Sequence, residues 1–123
     1  MTYVDGYVLP VAKSKIKAYK KMAMAGKIWK KYGALKYFEC AGDDLFPKMG
    51  GMKHVYFTKM AKAKPNETVF FSFIIYKSRK HRDAVNKKVM EAMTEWMKKN
   101  KKMEMPFDPK RMAYAGFKTL VEF

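Results

Sequence analysis

Residues 69–76 read Val-Phe-Phe-Ser-Phe-Ile-Ile-Tyr, and this stretch decides the fold. Seven of its eight residues are apolar or aromatic, and Pro65 and Ser78 flank it. A short run of β-branched and aromatic residues between such breakers is typical of a buried strand. Because successive side chains of a strand point to opposite faces, this strand has two apolar faces. The sequence therefore predicts a central strand that is covered on both sides.

A first strand and a helix are predicted near the N-terminus. The pattern of residues 3–9 alternates, which predicts a strand that ends at Pro10. Over residues 14–32 apolar side chains recur every three or four positions, which predicts an amphipathic helix with Ser14 as its N-cap. Gly33 follows where a glycine cap is favoured. This helix can cover one face of the sheet.

The next stretch predicts a second strand and then an irregular segment. Residues 35–41 alternate, so Tyr37 and Glu39 share one face while Cys40 lies on the other. Prolines and glycines interrupt residues 45–67. A short strand is expected at residues 55–58 within this segment, and either extended chain or a helical turn follows it.

A second helix and a last strand complete the pattern. Ser78 is the predicted N-cap of a helix that runs to about residue 99, with Asn100 as its C-cap. Its predicted buried stripe consists of Val85, Val89, Ala92 or Met93, and Trp96. After a proline-containing loop, residues 111–121 predict the last strand.

The predicted order is β-α-β-β-α-β, which is the ferredoxin-like α+β arrangement in one domain, residues 1–123. Both helices then pack on one face of an antiparallel sheet, and the other face should be polar if it meets water. Apolar residues on the other strands argue against an open face: Tyr3, Tyr7, Leu9, Leu35, Tyr37, Met112 and Tyr114. We therefore expect a homodimer packed sheet to sheet.

The net charge of +16 permits two interpretations. It could mark a protein that binds nucleic acid or another polyanion. It could also be a solvated basic surface, and two features favour this reading: the basic residues are 24 lysines and three arginines, and the lysines are spread along the chain. Weak, salt-sensitive binding to polyanions is expected in either case.

Other features bound the class of protein. No apolar run approaches the roughly 20 residues that span a bilayer, so we expect no membrane association. The N-terminal residues do not resemble a signal peptide. The single cysteine forms neither an internal disulfide nor a multi-cysteine metal site. We expect a cytosolic protein without a cofactor or a metal.

Several stretches, in the same order along the chain, resemble the YbaA-like family of small bacterial proteins of unknown function. They are residues 1–11, 29–35, 39–44, 67–73, 76–83, 105–108 and 110–112, including Met-Thr-Tyr-Val-Asp-Gly at the start and Glu-Cys-Ala-Gly-Asp-Asp at 39–44. The resemblance covers nearly the whole chain and implies a dimeric α/β barrel. It implies no activity. The chain departs from the family in its lysine and methionine content and in the loop at 45–56.

No catalytic signature is present, so the candidate site residues rest on their position alone. The candidates for polar groups in a pocket are Asp5, Tyr7, Glu39, Cys40, His81, Arg111 and Tyr114. If two strands present Asp5 and Glu39 to one cavity, they could share a proton. Alternatively, one or both carboxylates pair with Arg111 or a lysine, or lie at the solvated edge of a strand. Cys40 with His81 could form a nucleophile and its base, although a free cysteine is more often a small apolar side chain.

Two functions remain open. The first is a small-molecule-binding protein, or a cofactor-independent enzyme such as an oxygenase by analogy of fold, with a pocket between sheet and helices or at the dimer interface. The second is a non-catalytic interaction protein that uses its basic surface on nucleic acid or an acidic partner. The dependence of binding on salt distinguishes them.

Overall fold

A computed structural model describes all 123 residues and contains one four-stranded antiparallel sheet with helices packed on it. The strands are β1 (Tyr3–Ala12), β2 (Lys36–Ala41), β3 (Glu67–Tyr76) and β4 (Ala113–Lys118). Their order across the sheet is β2-β3-β1-β4, so the predicted central strand has a neighbour on each side. The α+β class is as predicted. The sheet is open, with β2 and β4 at its edges, and it does not close into a barrel within one chain.

β1 is longer than predicted, because Pro10 does not end it. β1 continues to Ala12, and Pro10 lies opposite Val69 of β3. On its other side β1 pairs with β4 only from Tyr3 to Val8, so no strand lies beside Pro10 there. The missing N–H of the proline therefore breaks no hydrogen bond of the sheet.

The predicted helix over residues 14–32 is interrupted. It consists of α1 (Ile16–Ala23) and α2 (Lys27–Lys31), joined by a 3-10 turn at Met24–Gly26. Gly26 is buried against the ring of Tyr37, where a larger side chain would overlap the ring. The close approach of β2 thus requires a glycine here and tightens the helix locally.

The two ends of this helical region differ in how well they were predicted. Ser14 makes no capping hydrogen bond, so the predicted N-cap is wrong. Gly33 does end α2, with φ of 115°. The N–H of Gly33 donates to the carbonyl of Lys30 and that of Ala34 to the carbonyl of Trp29. This pair of bonds is a Schellman cap, which confirms the glycine cap.

The segment after β2 contains no strand at residues 55–58, so that prediction is wrong. A single helical turn, α3 (Phe57–Met60), occupies part of this stretch instead. The Phe57 ring lies 6.0 Å from that of Phe71 on β3, measured between centroids. The short helix therefore sits beside the sheet and gains its packing from a side chain of the central strand.

The long helix α4 (Arg79–Lys99) begins and ends as predicted. The hydroxyl of Ser78 accepts a hydrogen bond of 3.1 Å from the backbone N–H of His81, and Asn100 is the C-cap. Val85 and Val89 are fully buried against the sheet. No helix of the chain combines the length and the apolar character that crossing a bilayer requires.

The helices α1, α2 and α4 cover one face of the sheet in two apolar clusters, whereas α3 lies against Phe71 of the other face. The first contains Tyr3, Ala34, Ile74, Tyr76, Val85 and Val89, and the second contains Leu9, Val11, Tyr19 and Phe70. The four tyrosines, Leu9 and Met112, which in the sequence argue against an open face, all lie on the covered side and therefore do not bear on the open one. The open face is apolar through other residues, namely Val4, Val8, Phe38, Phe71, Phe73, Ile75 and Phe117. β4 is shorter than predicted and is exposed along its length.

Candidate functional site

A row of polar side chains crosses the helix-covered face of the sheet, one from each strand. Tyr114 of β4 lies opposite Tyr7 of β1, which lies opposite Ser72 of β3, which lies opposite Glu39 of β2. The rings of Tyr7 and Tyr114 stack with centroids 4.7 Å apart. Because directly opposed residues of neighbouring strands project their side chains side by side, the row forms one polar band.

A cavity of about 460 Å³ lies over this band, between the sheet and the helices. The polar row supplies part of its wall, and apolar or aromatic side chains supply most of the rest: Leu9, Met22, Trp29, Ile74, Met90, Phe107 and Met112. Cavities that bind small molecules are of this size and of this mixed lining.

Glu39 is the carboxylate at one end of the row. The hydroxyl of Tyr19 donates to its Oε2 at 2.8 Å and that of Tyr37 donates to its Oε1 at 2.6 Å. The hydroxyl of Ser72 also donates to Oε2. Burial raises the pKa of both tyrosine hydroxyls, and Glu39 raises it further, so both remain donors at neutral pH. Three donated hydrogen bonds hold Glu39 in one orientation.

Asp5 is the carboxylate at the other end of the cavity, directly behind Tyr114. It is fully buried. Its Oδ2 accepts a hydrogen bond of 3.2 Å from the Tyr114 hydroxyl, and Nη1 of Arg82 lies 3.3 Å from its Oδ1. That ion pair is not a well-aligned hydrogen bond, so Oδ1 has no hydrogen-bond partner. Burial raises the pKa of the Asp5 carboxyl, and the charge of Arg82 opposes this without cancelling it.

Arg82 joins the two tyrosines that flank Asp5. Its Nη1 donates to the Tyr114 hydroxyl at 2.8 Å and its Nη2 donates to the Tyr3 hydroxyl at 3.2 Å. The guanidinium also lies over the Tyr3 ring, 5.1 Å from the centroid, and its Nε lies 3.0 Å from the carboxylate of Asp83. Arg82 is thereby fixed from several sides and keeps its positive charge at the site.

The model of the family described as protein of unknown function (DUF1428) matches residues 2–109. The chain belongs to the DUF1428 family.

Relatives of this family extend over the whole chain. The uncharacterized protein YbaA of Escherichia coli strain K12 is 40% identical over 125 residues, which cover 99% of this chain and 99% of YbaA. The uncharacterized YbaA of Shigella flexneri is 40% identical over the same extent. The resemblance to YbaA-like proteins that the sequence predicted is confirmed. Membership of DUF1428 carries no assigned activity.

A solved structure, the de novo designed protein Foldit4, aligns with 97% of this DUF1428 chain and 99% of its own length. The TM-score of that alignment is 0.46, at 9% sequence identity.

Four of the seven predicted site residues meet at the cavity of this DUF1428 protein. Tyr7, Glu39 and Tyr114 line it, and Asp5 lies behind Tyr114. Asp5 and Glu39 do face the same side of the sheet, but β3 lies between their strands, which separates the strand axes by about 10 Å. Each carboxylate has its own hydrogen-bond donors, so the two do not share a proton.

The other three predicted residues lie elsewhere. Cys40 is exposed on the open face of the sheet, whereas His81 lies on α4 on the covered side, so they do not form a nucleophile and base. Nδ1 of His81 accepts a hydrogen bond of 3.0 Å from the backbone of Lys77. Arg111 pairs with Glu67, with Nη1 2.7 Å from Oε2, and not with either cavity carboxylate.

Several residues of the site were not singled out from the sequence. Arg82, near the start of α4, is the partner of the buried Asp5. Arg82 and Asn86 precede Val89 by seven and three positions, so helical spacing places them on the buried side of α4. Ser72 alternates with Phe70 and Ile74 on the covered face of β3, which was a further signal.

Proposed function

We propose that this DUF1428 protein binds a small organic molecule in the cavity between the sheet and the helices. The observation that carries the proposal is the polar row from Tyr114 to Glu39, which lies in a cavity between two apolar clusters. A buried polar network stabilises a fold little more than well-packed apolar side chains do. If these polar groups only stabilised the fold, we would expect them to face solvent or apolar side chains to stand in their place. Here four polar positions from four strands converge on empty space.

The lining defines the chemistry of the ligand. Its walls are largely aromatic and methionine side chains, which suit a flat apolar body and adapt to its shape. The hydroxyls of Tyr19 and Tyr37 already donate to Glu39, so what they still offer is oxygen lone pairs. A complementary ligand therefore has an aromatic-sized body and at least one hydrogen-bond donor.

We also propose that the working form is a homodimer. The order of strands and helices supports a ferredoxin-like subunit, and the apolar open face supports packing of two such sheets against each other in a dimeric α/β barrel. Exposed aromatic rings lie on that face, with Phe38 stacked on Phe73 at 4.6 Å and Phe117 58% exposed. An apolar patch of this kind is typical of an interface.

Fluorescence of Trp29 tests the proposed cavity, because this side chain lines it. In a Trp96→Phe variant Trp29 is the only tryptophan. We expect saturable quenching by 4-nitrophenol, with an affinity that changes less than about twofold with added salt, since no counterions need to be displaced. The matched Trp29→Phe protein, which keeps Trp96 on α4, should show no saturable quenching. Equal quenching in both proteins would contradict the cavity as the site.

A second candidate function is binding of a polyanion, and a lysine-lined groove favours it. The groove lies beside the C-terminal end of α4 and contains Lys21, Lys98, Lys99, Lys101 and Lys102. Its one carboxylate, Glu104, lies 3.7 Å from Lys15. Binding of a single-stranded DNA oligonucleotide that weakens by orders of magnitude with salt and depends on these five lysines would support this function. Binding that survives their replacement by glutamine would contradict the groove as its site.

A further inference from the structure

We propose that Tyr114 and Asp5 form a proton relay that accepts the proton of an acidic hydroxyl group, as in a phenol or an enol, on the molecule bound in the cavity. The inference rests on the proposed function, because it assigns the reacting group of the ligand in the same cavity. Tyr114 is the residue that touches the ligand. Asp5 and Arg82 act through it.

The hydrogen bonds of the Tyr114 hydroxyl define the relay. A hydroxyl group has one donor and two acceptor positions. The Tyr114 hydroxyl uses its donor on Oδ2 of Asp5, at 3.2 Å, and one acceptor position on Nη1 of Arg82, at 2.8 Å. One acceptor position is left. A ligand that meets this oxygen from the cavity must therefore offer a donor, and a hydroxyl group satisfies this requirement.

The proton transfer balances without any further reagent. The ligand O–H bond breaks and its proton moves to the oxygen of Tyr114, while the original proton of Tyr114 moves to Oδ2 of Asp5. The products are a ligand oxyanion, an unchanged tyrosine and a neutral Asp5. The total charge of the site is unchanged. After the transfer Tyr114 donates to the oxyanion and accepts from Asp5, so these two hydrogen bonds are retained with their directions reversed, while Arg82 donates to Tyr114 throughout.

Two features of the surroundings favour this transfer. Asp5 is fully buried, and its Oδ1 makes only a poorly aligned ion pair with Arg82 and no hydrogen bond, so burial disfavours its charged form. Burial correspondingly raises the pKa of its carboxyl, which makes it a better proton acceptor. Arg82 stays positively charged beside Tyr114, where it stabilises the negative charge that forms on the ligand oxygen.

The other polar groups near the relay do not replace it. Tyr3, Tyr7 and Tyr76, the ionisable groups of the neighbouring strands, are hydroxyl donors, and burial raises the pKa of Tyr7 and Tyr76. On α4, Asp83 lies on the solvent side of Arg82, 61% exposed. Glu39, at the far end of the cavity, already accepts three hydroxyl hydrogen bonds, and none of them comes from Tyr114.

The ligand 4-nitrophenol tests the relay because its ionised form has its own visible absorption band. The wild-type protein is titrated at a pH above that at which free 4-nitrophenol ionises, with the absorbance and the proton exchange with buffer recorded together. We expect the bound ligand to keep the spectrum of the phenolate while about one proton per bound ligand is taken up from solution, because Asp5 becomes neutral.

Two variants separate the members of the relay. Asp5→Asn should bind the phenolate without proton uptake, because no carboxylate is left to receive the proton. Tyr114 is 46% exposed, so loss of its hydroxyl in Tyr114→Phe should leave the fold intact. This variant should bind the phenolate roughly tenfold more weakly, as expected for a lost hydrogen bond to a charged group. Tyr56→Phe, on the segment between β2 and α3, is the matched control and should behave as the wild type.

The results separate failure of the proton relay from failure of ligand binding in the cavity. Binding of 4-nitrophenol in its neutral form by the wild type would overturn the relay and leave the binding cavity in place. Proton uptake that persists in Asp5→Asn would overturn the role of Asp5. A wild-type protein that does not bind 4-nitrophenol at all would contradict the proposed function, and the relay with it.

Discussion

Three carboxylates in this chain are stabilised by three different arrangements. Glu39 accepts hydroxyl groups, Asp5 lies buried beside Arg82, and Glu67 receives both guanidinium Nη atoms of Arg111, at 2.7 and 2.9 Å. Only the last is a bidentate pair, which is the strong form of this contact. Of the three, Asp5 is the one that is fully buried and has a carboxylate oxygen without a hydrogen bond, so burial disfavours its charged form most. A poorly solvated group at a cavity is typical of function, whereas Glu67 connects β3 to the turn before β4 and is typical of a structural pair.

The Glu67 pair predicts a dependence of stability on acid. The guanidinium of Arg111 lowers the pKa of the Glu67 carboxyl from 4.5 to about 2. Because the folded-state pKa is depressed, the stabilisation is present above pH 4.5 and is lost as the pH falls toward 2. The midpoint temperature of thermal unfolding, followed by circular dichroism, should therefore fall more steeply over this pH range in the wild type than in Glu67→Gln. Parallel curves for the two proteins would contradict this, and the exposed Glu95→Gln should give the wild-type slope.

At the scale of single elements, the ends of the helices are determined by a few specific bonds. α4 begins at a serine whose hydroxyl accepts a backbone hydrogen bond, and α2 ends at a glycine with a positive φ. α1 begins without any side-chain cap. Since an uncapped helix start leaves its first N–H groups to water, α1 depends on packing of Tyr19 against the sheet rather than on its own terminus.

The two serines that the sequence suggests as N-caps give a matched pair of tests. Ser78→Ala removes an N-cap hydrogen bond and should lower the free energy of unfolding by about 1 kcal/mol. Ser14→Ala removes no such bond and should change it by less than about 0.5 kcal/mol. Chemical denaturation of both variants measures the difference. Equal losses in the two variants would mean that α1 is capped in solution or that α4 is not.

The same strands and helices show which parts of the structure can be predicted from the sequence and which cannot. Alternation and helical spacing predicted the four strands and α4, because these patterns follow from which side chains are buried. They did not predict the break at Gly26, which follows from contact with Tyr37 on another strand. The polar row depends on the register of three strand pairs, and the pairing of Asp5 with Arg82 joins residues far apart in the chain. Such long-range contacts leave no local periodicity.

On the scale of the whole molecule, the sheet divides the chain into a covered face and an open face. The covered face carries the cavity, with Glu39 in its wall and Asp5 behind Tyr114, and the open face carries aromatic side chains that only the short helix α3 adjoins in one chain. In the proposed dimer, a second copy covers the open face while each cavity remains within its own subunit. The charge of +16 on each copy opposes association, so salt should strengthen the dimer.

Substitution on the open face tests the dimer. Phe73→Arg places an unpaired charge at the centre of the proposed interface and should weaken association by at least about tenfold, because burying a charge there is costly. Light scattering at micromolar concentration and moderate salt should find a dimer for the wild type and a monomer for the variant. Phe123→Arg, at the exposed chain end, should remain dimeric. A wild-type monomer under these conditions would contradict the dimer.

A crystal structure of the protein with 4-nitrophenol bound would test the proposed cavity and the role of Tyr114 together. We expect the ligand between the sheet and the helices, with its oxygen within hydrogen-bond distance of the Tyr114 hydroxyl and its ring against Trp29 and Met112. A cavity that stays empty at saturating 4-nitrophenol, or a ligand found only on the open face of the sheet, would contradict it.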